Sequence, residues 1–226
     1  NIGPFDRSHL PAGLDELEQA DGTAWLAFYC LQMLHIALEL SQFDNAYEDV
    51  ASKFFEHFVA ITTSMNEIGA VGLWDDEDGF YYDLLHSGPK MIRLKLRSMV
   101  GLLPLIAVEF LDETLLEKVP AFRKRMDWFI ANRPHLSKHL ERRGKSVLLA
   151  LATRERLKRI LHRLLDPNEF LSPYGIRSMS KAHENDPFVL SLKGQHYRVG
   201  YEPGESQTPL FGGNSNWRGP IWFPVN

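Results

Sequence analysis

Apolar and polar positions alternate along this chain in blocks. From Ala24 to Leu38 only Gln32 and His35 interrupt an apolar run, and a helix that is apolar nearly all round belongs where it is buried on every side. Asn45–Met65 differs. There Val50, Phe54, Phe58 and Ile61 recur at helical spacing while Glu48, Lys53 and Glu56 fall off the stripe, so one face meets water. The pair then repeats: Ser98–Leu111 is apolar almost throughout, apart from Glu109. Thr114–Ile130 carries the stripe Leu115, Val119, Phe122, Met126, Phe129 and Ile130. Between the pairs, Gly72–Gly79 (GLWDDEDG) predicts a turn, and Phe80–Leu85 with Met91–Leu96 predicts a short β-hairpin across His86–Lys90.

A simple up-and-down bundle would give every helix a wet face, whereas two concentric layers give this alternation of buried and half-exposed helices. The pattern therefore predicts an all-α fold, an (α/α) toroid of helical hairpins with the short β-hairpin and long loops. Arg154–Leu165 reads as a further, basic outer helix. Asn1–Gln19, with Gly3, Pro4, Pro11 and Gly13, reads as an extended surface loop, and Asp21–Thr23 as N-capping groups. Phe170–Phe211 reads as a long irregular excursion of the kind that carries function.

Composition alters this picture little. At 226 residues and 44% hydrophobic the chain can bury one large core. The net charge of −4 gives no reason to expect nucleic acid. Charge is unevenly placed, however: residues 121–163 hold thirteen Lys and Arg against three Asp and Glu. That stretch reads as a solvated outer surface, with an anionic-partner patch as the alternative. The single cysteine, Cys30, reads as a small core residue. No Asn-x-Ser/Thr signal, secretory segment or run of eighteen apolar residues occurs in the sequence, which fits a reducing, cytoplasmic setting and no membrane partner. The chain begins at Asn1 rather than Met and stops in what reads as a helix start. It is expected to be a piece of a longer protein, with the remainder of that polypeptide as its partner.

The candidate chemistry lies in polar-aromatic clusters. Asn214–Asn226 (NSNWRGPIWFPVN) packs two Trp, an Arg and three Asn into thirteen residues, with Gly219-Pro220 placed to open a helix. Similar clusters stand at Glu18–Trp25, Lys95–Ser98 and Ser172–Ser178, where inner helices would begin, and Gly72–Asp83 adds Trp74, a run of acids and two Tyr. Indole faces stack on sugar faces while amides, carboxylates and guanidinium groups fix hydroxyls. The candidate sugar-binding residues are Asp21, Trp25, Trp74, Tyr82, Arg97, Tyr174, Arg177, Asn216, Trp217 and Arg218. Plainer roles stay open: Asp21 as a helix cap, Asp75–Asp78 as a solvated turn, and Arg97 or Arg177 as partners of a buried carboxylate. The acidic turn lacks the order of a Ca²⁺ loop, and the nine His lack zinc spacing, so no metal is expected. No Gly-rich phosphate loop or G-x-S-x-G elbow occurs, and no cofactor is expected.

Six of these segments together carry a resemblance. NIGPFDRS (Asn1–Ser8), QADGTAWLAFYC (Gln19–Cys30), GLWDDEDGFYYD (Gly72–Asp83), RSMVGLLP (Arg97–Pro104), LSPYGIRSMS (Leu171–Ser180) and FGGNSNWRGPIW (Phe211–Trp222) resemble glycoside hydrolase family 63. The likeness is to its bacterial, mannosyl-oligosaccharide-glucosidase-like members. The resemblance implies that 1–226 is an internal part of one (α/α)6 catalytic domain. It also implies an exo-acting α-glucosidase that removes terminal glucose from oligosaccharides with inversion. Inversion uses two carboxyl groups about 6.5–9.5 Å apart. By the family pattern the acid Asp stands just before Asn1 and the base Glu follows Asn226, so neither matches a position here. Asp6 and Glu205 are weak substitutes. The alternatives are another six-hairpin glycosidase, trehalase-like or mannosylglycerate-hydrolase-like, and a non-catalytic carbohydrate-binding helical toroid.

Overall fold

The run Ala24–Leu38 does form a long helix, which begins earlier, at Ala20, so that Asp21–Thr23 lie within its first turns rather than capping it. Much of the chain expected to follow as helices does not. The structure is a computed structural model that describes residues 3–67, 72–133, 140–173 and 175–201. In chain order the elements are β1 (Glu16–Glu18), α1 (Ala20–Leu40), α2 (Tyr47–Glu67), β2 (Trp74–Asp75), β3 (Phe80–Tyr81), β4 (Asp83–Ser87) and β5 (Lys90–Leu94). Next come β6 (Val108–Leu111), α3 (Glu113–Lys118), α4 (Pro120–Asn132), β7 (Leu140–Arg143), β8 (Ser146–Ala150), α5 (Arg154–Leu164), β9 (Leu171–Ser172), β10 (Gly175–Ile176), β11 (Phe188–Leu192) and β12 (Gln195–Val199). The expected all-α toroid is therefore overturned. Among the described residues the fold is mixed, with five small antiparallel sheets beside the helices.

The clearest correction is Ser98–Leu111. Instead of an inner helix it forms two 3-10 turns, Met99–Gly101 and Leu103–Ile106, and then β6. An apolar run does not distinguish helix from buried strand, and Gly101 and Pro104 break this one. Thr114–Ile130 is likewise two helices, because Pro120 lacks an N–H and takes the first position of a new helix. In α2 the buried apolar positions are Ala51, Phe55, Phe58, Val59 and Met65, joined by Glu48, Ser52 and Thr62. Val50 is exposed, so the stripe is rotated from the expected one. Asn1–Gln19 contributes a strand, β1, and the described part of Phe170–Phe211 contributes β9 to β12. The expected hairpin is present as β4 and β5, turning through Gly88-Pro89 with Gly88 at φ 57°.

The chain divides into two units. The first joins residues 1–21, 73–103 and 154–226. Its central sheet has the order β1-β4-β5, with Glu18 opposite Leu84 and Asp83 opposite Leu94. Phe5, Leu85, Leu94 and Leu190 form one apolar cluster, with Leu17, Ile92 and Tyr197 packed on it. A second centre stacks Phe80 on Phe170, with ring centroids 5.8 Å apart and planes at 14°. The second unit joins residues 22–72 and 104–153. There Phe55 meets Phe122 and Phe129 edge-on, and a sheet of order β6-β8-β7 buries Leu111, Val147 and Leu149. Helix α4 has no side-chain cap at its own Val119. Glu48 of α2 fills that role by accepting from the Phe122 N–H at 2.7 Å.

Candidate functional site

In the first unit, pairing of β1 with β4 brings residue 83 beside the start of α1, which follows β1 directly. Asp83 Oδ1 accepts from the Ala20 N–H at 2.8 Å. Arg7, from the loop before β1, lies between Asp83 and Asp21. Its Nη1 donates to Asp21 Oδ2 at 2.9 Å, and its Nη2 donates both to Asp21 Oδ1 and, at 3.3 Å, to Asp83 Oδ1. Arg7 Nε stands 2.9 Å from Asp83 Oδ2. The Arg7 and Asp83 side chains are 6% and 8% exposed, whereas Asp21 keeps 21% of its side chain open to water.

This arrangement sets the charges. Burial pushes the Asp83 carboxyl up to about 6, outweighing the pull of Arg7 and of the Ala20 N–H, and the charge of Asp21 adds to the rise. Burial alone would lower Arg7. Its hydrogen bonds and charge pairing with Asp21 and Asp83 more than offset that and hold the guanidinium above its ordinary value. A cavity of about 10 Å³ beside Asp83, walled in part by Gly3, Tyr82 and Ser98, has room for about one water. Asp21 is the member of the cluster most exposed to water.

The acidic turn between β2 and β3 is closed on itself. Asp75 accepts from the Asp78 N–H at 2.8 Å and meets Arg93 at 3.1 Å and Lys95 at 3.2 Å. Burial raises the Asp75 carboxyl less than that hydrogen bond and the Lys95 and Arg93 charges lower it, so it stays below the usual carboxylate range. Tyr82 donates to Asp78 at 3.1 Å, and burial together with Asp78 raises its phenol. Trp74 donates to Asp76 at 2.7 Å, and its ring is covered by Arg156 at 4.9 Å and Arg159 at 5.6 Å. Arg159 Nη2 donates to the Asp76 carbonyl at 2.7 Å, and Arg163 Nε to that of Asp78 at 2.9 Å. In this unit Arg156, Arg159 and Arg163 of α5 thus serve the acidic turn. In the second unit Arg125 and Arg142 pair with Asp49 and Asp127.

Arg97 and Arg177 converge on Glu169. Arg97 Nη1 donates to Glu169 Oε1 at 3.1 Å, Arg163 Nη1 donates there at 2.6 Å, and Ser180 Oγ donates to Oε2. Arg177 Nη1 donates to the carbonyls of Pro167 at 3.0 Å and Glu169 at 3.3 Å, and its Nε donates to Tyr201 Oη at 3.2 Å. The next residue pair is fixed by His183, which accepts at Nε2 from the Arg97 N–H and donates from Nδ1 to the Asp186 carbonyl, both at 2.9 Å. Burial lowers the His183 pKa, in keeping with a neutral ring.

Of the residues singled out from the sequence, Asp21 therefore joins Arg7 and Asp83. Trp74 and Tyr82 meet at the acidic turn, and Arg97 and Arg177 meet at Glu169. Trp25 lies in the second unit as a half-exposed indole, edge-on to Phe28 at 5.8 Å. Asp6 lies in a turn, accepting from the Ser8 N–H at 2.9 Å. Tyr174, Glu205, Asn216, Trp217 and Arg218 lie outside the described residues. Sequence reasoning missed Arg7, Asp83 and Glu169. Arg7 and Asp83 do stand in NIGPFDRS and GLWDDEDGFYYD, but no local pattern marks one guanidinium as partner to two distant carboxylates.

The chain aligns over its whole length, at 50% identity across 246 aligned positions, with an uncharacterized protein of Saccharomyces cerevisiae, YMR196W. The chain spans about a fifth (22%) of that relative's length. No protein-family model matches, and no solved structure matches.

Proposed function

We propose that this chain is a substrate-binding part of an exo-acting, inverting α-glucosidase of the mannosyl-oligosaccharide-glucosidase type, which hydrolyses terminal α-linked glucose. The observation that carries the reading is the Arg7–Asp21–Asp83 cluster. It joins three of the six segments on which the family resemblance rests, from positions far apart in the chain. In this role Asp21 accepts hydrogen bonds from hydroxyl groups of the terminal glucose, and Arg7 holds its carboxylate in one orientation. Asp83 and the Ala20 N–H keep Arg7 in place. Asp21 and Asp83 both touch one nitrogen of Arg7, which leaves no room between them for a glycosidic bond and a water. The acid and base of an inverting pair, about 6.5–9.5 Å apart, are therefore placed elsewhere in the polypeptide.

The test uses the full-length gene product and a panel of α- and β-linked glucose disaccharides, with the anomer first released followed by NMR. Glucose should appear from α-linked substrates as the β-anomer. Asp21→Asn should lower kcat/KM by roughly 10-fold or more, the effect of about 1.4 kcal/mol in the transition state. Absence of glucose release, retention of configuration, or an unchanged kcat/KM in Asp21→Asn would each defeat the proposal.

A further inference from the structure

Helix α1 has two apolar faces, one buried and the other largely exposed, with Tyr29 edge-on to Phe54 of α2 at 6.4 Å. Ala24, Ala27, Leu31, Leu34 and Leu38 are buried. On the other side Trp25, Tyr29, Ile36 and Leu40 stand exposed at spacings of four, seven and four, with Leu26 beside them. Phe43, just past the helix end, is 90% exposed. The stripe from Trp25 to Leu40 runs about 22 Å at the helical rise, interrupted by the exposed Gln32 and His35 between Tyr29 and Ile36, and exposed apolar surface of this extent marks an interface.

We propose that this face of α1 is an internal interface of a longer polypeptide, covered by an apolar helix from outside these 226 residues that carries Lys or Arg at its margins. Two observations select this occupant. First, the yeast relative aligned with the whole chain has most of its length outside the alignment, so such a polypeptide has ample chain to supply the cover. Second, the charges that the helix and the turn after it carry beside the stripe are acidic. No Lys or Arg occurs between Arg7 and Lys53, while Glu39 and Asp44 flank the end of the stripe. By length and composition α1 is apolar enough to cross a membrane, but helices that enter or lie on a bilayer carry basic anchors at their flanks. Pairing with a second copy would set Glu39 and Asp44 against acidic residues, at a repulsive cost. A helix with basic margins meets both requirements.

The experiment places a photo-reactive benzoylphenylalanine at Tyr29, and separately at Ile36, in the full-length gene product. Cross-linked peptides are then identified by mass spectrometry. Intramolecular cross-links to segments outside residues 1–226 are expected. Cross-links to residues 202–226, to a second copy or to lipid, or none at all, would overturn the proposal. A second variant, Ile36→Lys, should lower the full-length protein's Tm by roughly 5 °C, whereas an exposed helix surface would leave it unchanged. Both readouts are independent of glycosidase activity, so failure of the enzymatic reading leaves this one standing.

Discussion

Arg7 Nε lies 2.9 Å from Asp83 Oδ2, and both side chains are almost out of water. A buried guanidinium facing two carboxylates holds its neighbourhood together only while all three remain. Removing the cation leaves buried negative charge with no counter-charge. Arg7→Met is expected to destabilise the chain by about 3–5 kcal/mol. Urea denaturation should show a smaller loss at pH 5 than at pH 8, since Asp83 can then take up a proton.

Asp83 itself gives stability an acid-side slope. Its folded pKa, about 6, lies above the ordinary Asp value, so the native state binds the proton more tightly than the unfolded chain. Its contribution is full below about pH 3.9 and is lost as pH rises through about 6. Asp83→Asn cannot ionise. Between pH 4 and 6.5 the stability of the wild type relative to this variant should fall by roughly 2 kcal/mol, read from urea midpoints.

His183 acts with the opposite sign. Its pKa is lowered by burial, so below about pH 6.5 the unfolded chain takes up a proton that the folded ring resists. Stability from this group is present above that pH and is lost as pH falls. His183→Gln should remove that acid-side loss, and nitrogen NMR of the wild type should find the proton on Nδ1, bonded to the Asp186 carbonyl.

Gly101 is confined by its neighbours. A Cβ there would stand 2.2 Å from the Tyr81 carbonyl oxygen and 2.3 Å from Phe80 Cε1, and backbone cannot yield as a flexible side chain can. Gly101→Ala should destabilise by roughly 2–4 kcal/mol, seen as a lowered urea midpoint.

Glu48 caps a helix that is not its own. Glu48→Ala removes the acceptor of the buried Phe122 N–H and should cost about 1–2 kcal/mol. Glu48→Gln, which keeps an acceptor, should lose less in the same denaturation series.

Of the Arg7–Asp21–Asp83 cluster only Asp21 stands out in the sequence, within the polar-aromatic segment Glu18–Trp25. Trp74, Tyr82, Arg97 and Arg177 stand in polar-aromatic segments that mark them as more than surface. Their partners were not legible, because those partners are distant in sequence. Arg156 and Arg159, which cover Trp74, read in isolation as a solvated basic helix. Glu169, where Arg97 and Arg163 meet, sits in a stretch with no periodicity at all.

Local pattern by itself determined α1, α5 and the hairpin turning at Gly88-Pro89, because helical spacing and turn chemistry act over a few neighbouring residues. Gly101 and Pro104 interrupt Ser98–Leu111 locally, but tertiary structure decided that it becomes turns and a strand. An apolar run buries equally well in either form, and the outcome rests on β8 pairing with it and on Phe80 and Tyr81 closing over Gly101. The same holds for Asp83. Its proton affinity comes from burial beside Arg7 and the Ala20 N–H, surroundings supplied by chain segments that meet only once β1 and β4 have paired.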